Sequence, residues 1–254
     1  MRGIILAGGT GSRLYPLTAV TNKHLLPIGN LPMIEYPLYT LRSLKIDSIS
    51  IVTGGEHFKE IAGYFGAAHP EIVSNLSFHY QNEPRGIPHA IACTEKFVSD
   101  SSIAVALGDN IFEDCFYEAA KNFEKSGFGT MIFLKKVHDA HRFGVVEIKD
   151  GKVISLEEKP PHPKSDLAIT GLYFFDRTVF DKIRTLKPSP PPRSELEVTE
   201  LIRLYVEEGR ACFSVIDGYW TDAGKPEVRR RAEEFVLKGL EEKVLESSGI
   251  KLSR

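Results

Sequence analysis

Apolar residues in the first half of the chain fall into short continuous runs that alternate with stretches of helical spacing. Residues 3–7 (GIILA) form an apolar run closed by glycines, the pattern of a buried strand. Residues 32–45 carry Ile34, Leu38, Leu41 and Leu44 at helical spacing. Residues 48–54 (SISIVTG) read as the next strand, and 57–66 (HFKEIAGYFG) as a helix stopped by its glycine. A strand over 76–81 follows, then a helix over 87–98 with proline in its first turn, then a fourth strand over 102–110. This alternation predicts an α/β fold: a Rossmann-like, mainly parallel sheet with helices on both faces.

The texture changes near residue 129. GTMIFLKKV, FGVVEI, KVISLEEK and LAITGLYFFD are strand-like, with turn residues such as KDG between them. They predict a small antiparallel elaboration of the first sheet. A helix over 195–209 with a stop glycine, a strand over 211–217 and a charged helical tail from Pro226 complete the pattern. No repeat or long linker interrupts it, and the proline-rich stretch 187–193 reads as a stiff loop. A single domain over 1–254 is expected.

Composition narrows the partners. The chain has 254 residues, 42 % of them apolar, enough to bury a core without staples. Its formal net charge of -2 gives no polyanion signal, which argues against nucleic acid and acidic membrane surfaces. No apolar run reaches about 18 residues, so no membrane helix is expected. Cys93, Cys115 and Cys212 lie far apart and suggest neither a metal motif nor a disulfide framework. A reducing cytoplasm is the expected setting.

Candidate chemistry gathers where strands end. In open α/β sheets, ligands bind beyond the carboxyl ends of the strands, and GGTGSR (8–13) stands at such an end. Glycines let backbone N–H groups approach an anion, or simply let the chain turn. The stretch is not a P-loop, because no Lys-Ser/Thr follows, and residue 14 is Leu where a dinucleotide fingerprint needs glycine. Arg13 and Lys23 are two cations suited to a polyphosphate, or two solvated side chains. Asp109 ends the fourth strand, where it could hold Mg²⁺ or cap a helix. Asp222, in YWTDAG, follows another short apolar strand, and the two acids would form a metal site if they converged. His138 and His141 (HDAH) have metal-pair spacing but no third ligand. Tyr173, Phe174, Phe175, Tyr219 and Trp220 read as core or pocket wall.

The stretch GIILAGGTGSRLYPLTAVTNKHLLPIGNLPMIEYPL resembles the signature of sugar-1-phosphate nucleotidyltransferases, most nearly that of the glucose-1-phosphate thymidylyltransferases. YQNEP, ALGDN, FGVVEI, SLEEKP, AITGLYFFD, RSELEVTE and YWTDAGKPE resemble further blocks in the family order, covering roughly residues 2–235. The resemblance implies the nucleotide-diphospho-sugar transferase fold and an enzyme joining a nucleoside triphosphate to a sugar 1-phosphate with Mg²⁺ as cofactor. It implies a nucleotide-binding half over 1–112, a sugar-binding half over 113–218, and a metal-binding turn with a helical tail over 219–254. Leu6, Gly8, Gly9, Gly11 and Arg13 would then serve the nucleotide, with Gln81 on the base and Pro84 and Gly86 shaping its pocket. Arg13, Lys23 and Lys159 would be catalytic cations, and Asp109 and Asp222 the metal ligands. Gly144, Glu158, Lys159, Ile169 and Arg193 would hold the sugar phosphate. A homo-oligomer, dimer or tetramer, is the expected assembly.

The residues support this chemistry on their own terms. Two anions meet only if cations intervene, and a phosphate oxygen is already an ionised nucleophile, so no general base is needed. SLEEKP could as well be a solvated charge run. The chain departs from the family pattern where Ile87, Pro88, His89 and Ala90 replace the common Leu-Ala-Gln-Ala, and His24 a common Gln. Ser194 replaces a usual Gly and Ala223 a usual Thr. Other bases or sugars, such as GTP with mannose 1-phosphate, and a non-catalytic regulatory homologue are the alternatives. A dead homologue would be expected to lose Arg13, Lys23, Asp109 or Asp222, and all four are present.

Overall fold

Alternate residues of the first apolar run point to opposite faces of a sheet, and both faces are covered. The computed structural model describes residues 1–191 and 194–250. In it Ile4 and Leu6 of β1 (Arg2–Leu6) pack with Val105, Ile132 and Leu134, while Ile5 and Ala7 pack with Leu38, Ala104 and Ala106. Burial on both faces is why the run is continuous and not alternating.

After β1 the chain forms a short hairpin, β2 (Pro27–Ile28) and β3 (Leu31–Pro32), then α1 (Glu35–Ser43), β4 (Ile49–Thr53), α2 (Phe58–Ala68) and β5 (Leu76–Tyr80). Next come α3 (Ile87–Ala92), α4 (Glu95–Val98), β6 (Ile103–Leu107), β7 (Asn110–Phe112) and α5 (Tyr117–Ser126). The second half runs through β8 (Thr130–Lys136), β9 (Gly144–Lys149), β10 (Lys152–Glu158), β11 (Leu167–Phe175), α6 (Val179–Thr185), α7 (Val198–Glu207) and β12 (Ala211–Val215). It closes with β13 (Trp220–Asp222), α8 (Pro226–Phe235) and α9 (Glu241–Ser248).

One nine-stranded sheet has the order β10-β9-β11-β6-β1-β4-β5, with β8 on β11 and β12 on β8. The pairs β1–β4, β1–β6 and β4–β5 are parallel, and β11 runs antiparallel to β6, β8 and β9. This is the expected mainly parallel α/β sheet with an antiparallel elaboration. From β1 the chain first builds outward through β4 and β5, then returns to place β6 on the other side. The carboxyl ends of β1 and β6 therefore flank a topological switch point, the usual place for a ligand in such sheets.

Three boundaries differ from the sequence reading, each for a local reason. The helix over 87–98 is two pieces: Thr94 turns its hydroxyl onto the Ile91 carbonyl, 2.7 Å, and tightens the chain there. Gly66 does not stop α2, which runs on to Ala68 and ends at His69. The helix expected from residue 195 starts at Val198. Ser194 has φ +50°, and the Leu196 N–H donates to the Arg85 carbonyl at 2.9 Å, so this segment is drawn out alongside residues 85–86.

The charged tail is helical, as expected, and its apolar side closes a third core cluster. Ala232, Val236, Leu240 and Val244 pack against Ile28, Leu31, Met33, Tyr36 and Ile111. Buried Glu241 pins the tail to the β2–β3 turn, accepting from Asn30 N at 2.5 Å and Asn30 Nδ2 at 3.2 Å. Among the described residues no helix is long and apolar enough to cross a membrane. Glu241→Ala removes both bonds and is expected to lower unfolding free energy by about 2 kcal/mol, read by urea denaturation. An unchanged midpoint would mean that the tail is not fastened there.

Candidate active site

Beyond β1 the chain must turn sharply, and Gly9 (φ +97°) and Gly11 (φ +63°) supply left-handed backbone for it. A Cβ on Gly11 would sit 2.7 Å from the Thr18 methyl, so the loop closes on itself as well as turning. It leads to Lys23, whose Nζ lies 2.5 Å from Asp109 Oδ2 at the end of β6. No helix begins at Asp109, because Asn110 opens β7 directly; the capping role falls away. Burial alone would raise the Asp109 carboxyl, but the Lys23 ammonium beside it holds it well below the usual carboxylate range. His24 lies beneath, with its backbone N–H and its ring Nδ1 both on Asn22 Oδ1, at 2.9 and 2.7 Å. Burial first, and Lys23 second, push its pKa down to about 3, so the ring is neutral at pH 7. A Cβ on Gly108 would collide with that ring at 2.6 Å, which explains the glycine before Asp109.

Asp222 reaches the same place through a two-stranded pairing. β13 runs antiparallel to β7 with Asp222 opposite Asn110, and the Ala223 N–H donates to the Asp109 carbonyl at 2.8 Å. A Cβ on Gly224 would lie 2.8 Å from Asp222 Oδ1, 3.1 Å from Arg13 Nη2 and 3.4 Å from Asp109 Oδ2. That one point locates both acids and the guanidinium together. Burial first, and Asp109 second, push the Asp222 carboxyl above the usual range, as two neighbouring carboxylates must.

Two chambers open from this point. The first is lined by Leu6, Gly8, Gly9, Lys23, Gln81, Pro84, Gly86 and Asp109, with Leu196, Glu195 and Glu197 from the drawn-out segment. The second is lined by Gly144, Ile169, Thr170, Gly171, Thr199, Arg142, Trp220 and Asp222. Ile87, Leu107, Glu158, Lys159 and Val198 belong to both. Lys159 Nζ lies 2.8 Å from Glu158 Oε1, so these neighbours form an ion pair at the cleft, with Lys159 exposed and Glu158 half-buried.

The structure thus gathers most of the candidate residues. Arg13 is exposed at the rim beside Gly224 and lines neither chamber. Gly11, close to Thr18 and Lys23, lines neither chamber, and Arg193 falls outside the described residues. His138 and His141 are exposed around a short turn over 140–142. Among the described residues no three carboxylate, histidine or cysteine groups gather as a protein-only metal cage.

The nucleotidyl transferase family model matches residues 2–239. The chain belongs to the nucleotidyl transferase family. It is 38 % identical over 251 residues to the low-salt glycan biosynthesis nucleotidyltransferase Agl11 of Haloferax volcanii, covering 98 % of this chain and 69 % of that one. A glucose-1-phosphate thymidylyltransferase of Neisseria meningitidis is 38 % identical over 240 residues, 93 % of this chain and 82 % of its own. A Bacillus anthracis protein put forward as a glucose-1-phosphate thymidylyltransferase and solved with a sucrose superposes with a TM-score of 0.86. That pair is 39 % identical over 100 % of this chain and 98 % of the other. The resemblance read from the sequence blocks holds.

In this nucleotidyl transferase one site residue escaped the sequence reading. Asn110, 2 % exposed, accepts from the Gly171 N–H at 2.9 Å and Trp220 Nε1 at 2.7 Å, and its amide donates to Asp109 Oδ1 at 3.1 Å. Its place beside Asp109 was a signal for the last contact; nothing in the sequence links it to Gly171 or Trp220. Trp220 is pocket wall, as expected. If Asp109 and Asp222 share one electrostatic environment, Asp109→Asn should lower the pKa of Asp222, read by carbon NMR of the side-chain carboxyls. An unmoved Asp222 titration would show that the two acids do not feel each other.

Proposed function

We propose that the chain transfers a nucleotidyl group from a pyrimidine nucleoside triphosphate, dTTP or UTP, to glucose 1-phosphate, releasing pyrophosphate. The observation that carries this reading is the pair of chambers sharing Glu158 and Lys159 and meeting beside Asp109 and Asp222. The relatives named as glucose-1-phosphate thymidylyltransferases support thymine and glucose 1-phosphate as the choices. The first chamber takes the nucleotide, with Gln81 on the base, Pro84 and Gly86 at its edge, and Leu6, Gly8 and Gly9 against the sugar and phosphates. The second takes the glucose, with Gly144, Glu158 and Ile169 around its hydroxyls.

Chemistry here is positioning plus charge. An oxygen of the sugar phosphate, already ionised, bonds to the α-phosphorus; the bond from that phosphorus to the bridging oxygen breaks, and its electrons leave with pyrophosphate. No proton is moved. Lys159 brings the sugar phosphate forward, while Lys23 and Arg13 steady the triphosphate and the charge that builds on the α-phosphoryl oxygens. The donor set suits Mg²⁺, which commonly takes one or two carboxylates and fills its shell with phosphate oxygen and water. Asp109 and Asp222 would hold it, and it would supply positive charge against the phosphates. Holding both substrates in line is worth about 7–11 kcal/mol in the best intramolecular models.

The test is pyrophosphate release with Mg²⁺ across five nucleoside triphosphates and a set of sugar 1-phosphates. Release with dTTP or UTP and glucose 1-phosphate is expected; silence, with a nucleotide sugar still bound, would favour a non-catalytic homologue. Asp222→Asn should cut turnover about a hundredfold or more with the fold intact, and near-normal activity would remove Asp222 from the metal site. Lys159→Ala should chiefly raise the KM for the sugar phosphate. A loss confined to nucleotide binding would reverse its assignment.

A further inference from the structure

We propose that His89 sets the base preference of this enzyme by fixing which end of the Gln81 amide faces the nucleotide chamber. The inference rests on the transfer reading above and concerns the base end of the same cleft.

Gln81 follows β5, is 8 % exposed, and is held by a backbone bond from its N–H to the Thr53 carbonyl at 2.8 Å. Its side-chain nitrogen lies 3.3 Å from the Gly86 carbonyl oxygen and 3.0 Å from His89 Nδ1. A carbonyl oxygen can only accept, so the nitrogen of the amide must be the end that faces Gly86. One N–H serves that carbonyl. The other meets His89 Nδ1, which must then offer a lone pair, with the ring proton on Nε2. Both donors of the amide are thus engaged by protein acceptors.

The oxygen is left on the other side. A Cβ on Gly8, a residue of the chamber lining, would stand 3.3 Å from Gln81 Oε1. The base therefore meets the acceptor end of the amide, whose own donors are already engaged. Thymine and uracil present N3–H and satisfy that acceptor; cytosine presents a lone pair at N3 and leaves two acceptors facing each other. An amide can rotate by half a turn at small steric cost, so the choice is only as firm as what holds its nitrogen. The Gly86 contact is long, and the His89 contact is the shorter of the two. His89 lies on α3 outside the chamber lining and acts through Gln81, as a positioning residue.

The experiment compares the wild type with His89→Leu and His89→Gln, with kcat/KM for UTP and for CTP measured separately, glucose 1-phosphate and Mg²⁺ being supplied. Nitrogen NMR of the wild-type imidazoles reads the tautomer directly. Nδ1 of His89 should be the unprotonated nitrogen. His89→Leu should lower the UTP-to-CTP ratio about tenfold, through KM more than kcat, and His89→Gln, which keeps an acceptor within reach, should restore it. Equal loss with both nucleotides in His89→Leu, the ratio unchanged, would reduce His89 to packing and overturn the proposal; so would a proton on Nδ1. Calorimetric binding of UTP and CTP to the wild type and His89→Leu separates this from the transfer reading. If the wild type releases no pyrophosphate, the transfer fails. Preferential UTP binding lost in His89→Leu still upholds the amide orientation, and equal binding of the two nucleotides to the wild type overturns it.

Discussion

Lys23 and Asp109, 2.5 Å apart with side chains only 13 % and 11 % exposed, tie the loop after β1 to the end of β6. That tie closes the mouth of the switch point. It draws the glycine turn down over the switch point, seats His24 beneath Gly108, and leaves Asp109 ionised. A pair this shielded is a poor stabiliser, because removing two charges from water costs about as much as their attraction returns, often more. Apolar residues of similar volume could fill the space with no loss of stability. What they could not do is hold a cation and an oxygen-donor anion where a triphosphate is proposed to lie. The pair is best understood as a fixed charge arrangement that the surrounding core makes tolerable.

The second acid depends on a different device. Asp109 and Asp222 are far apart in sequence and belong to no common strand of the large sheet. Three residues of β7 and three of β13 bring them together, and Asn110 locks the result by bonding Asp109, Gly171 and Trp220 at once. A Cβ on Gly171 would lie 2.4 Å from the Asn110 side chain, so the glycine makes room for the amide. It lies where the register of β11 shifts, between Ile169 and Tyr173. The irregularity in β11, the buried amide and the short β7–β13 pairing form one joint that carries the metal-ligand candidates on one side and the wall of the second chamber on the other.

This division explains how far the sequence could be read. The strands that build the large sheet were legible because continuous apolar runs such as GIILA and SIAVAL have few other uses, and a mainly parallel order followed from the helices between them. GGTGSR and Asp109 were legible as candidates because each stands at the end of such a run, and Lys23 as a second cation following Arg13. The convergence of Asp222 was not, since three-residue strands carry no periodicity and their pairing spans more than a hundred residues. Nor was the course of 194–197. ELEV reads as the start of a helix by composition, but the Arg85 carbonyl takes the Leu196 N–H and the helix waits until Val198. Tertiary hydrogen bonds chose against local propensity there, and the segment they displaced lines the first chamber.

The two chambers share one cleft because of a break in strand alternation. Successive side chains of an extended strand point to opposite faces, so Glu158 and Lys159 should not be able to reach the same space. Glu158 obeys the rule as the last residue of β10, opposite Gly144. Lys159 escapes it: its φ is +46°, left-handed and uncommon for a residue with a Cβ, while its N–H still donates to the Phe143 carbonyl at 3.0 Å. The turn swings the lysine back onto the side of its neighbour, where Nζ meets Glu158 Oε1. Such a conformation costs on the order of 1 kcal/mol or more, and glycine would adopt it freely. Glycine would also delete the ammonium. The strain falls on a residue that lines both chambers, and it is the geometric condition for a carboxylate and a cation adjacent in sequence to face one shared space.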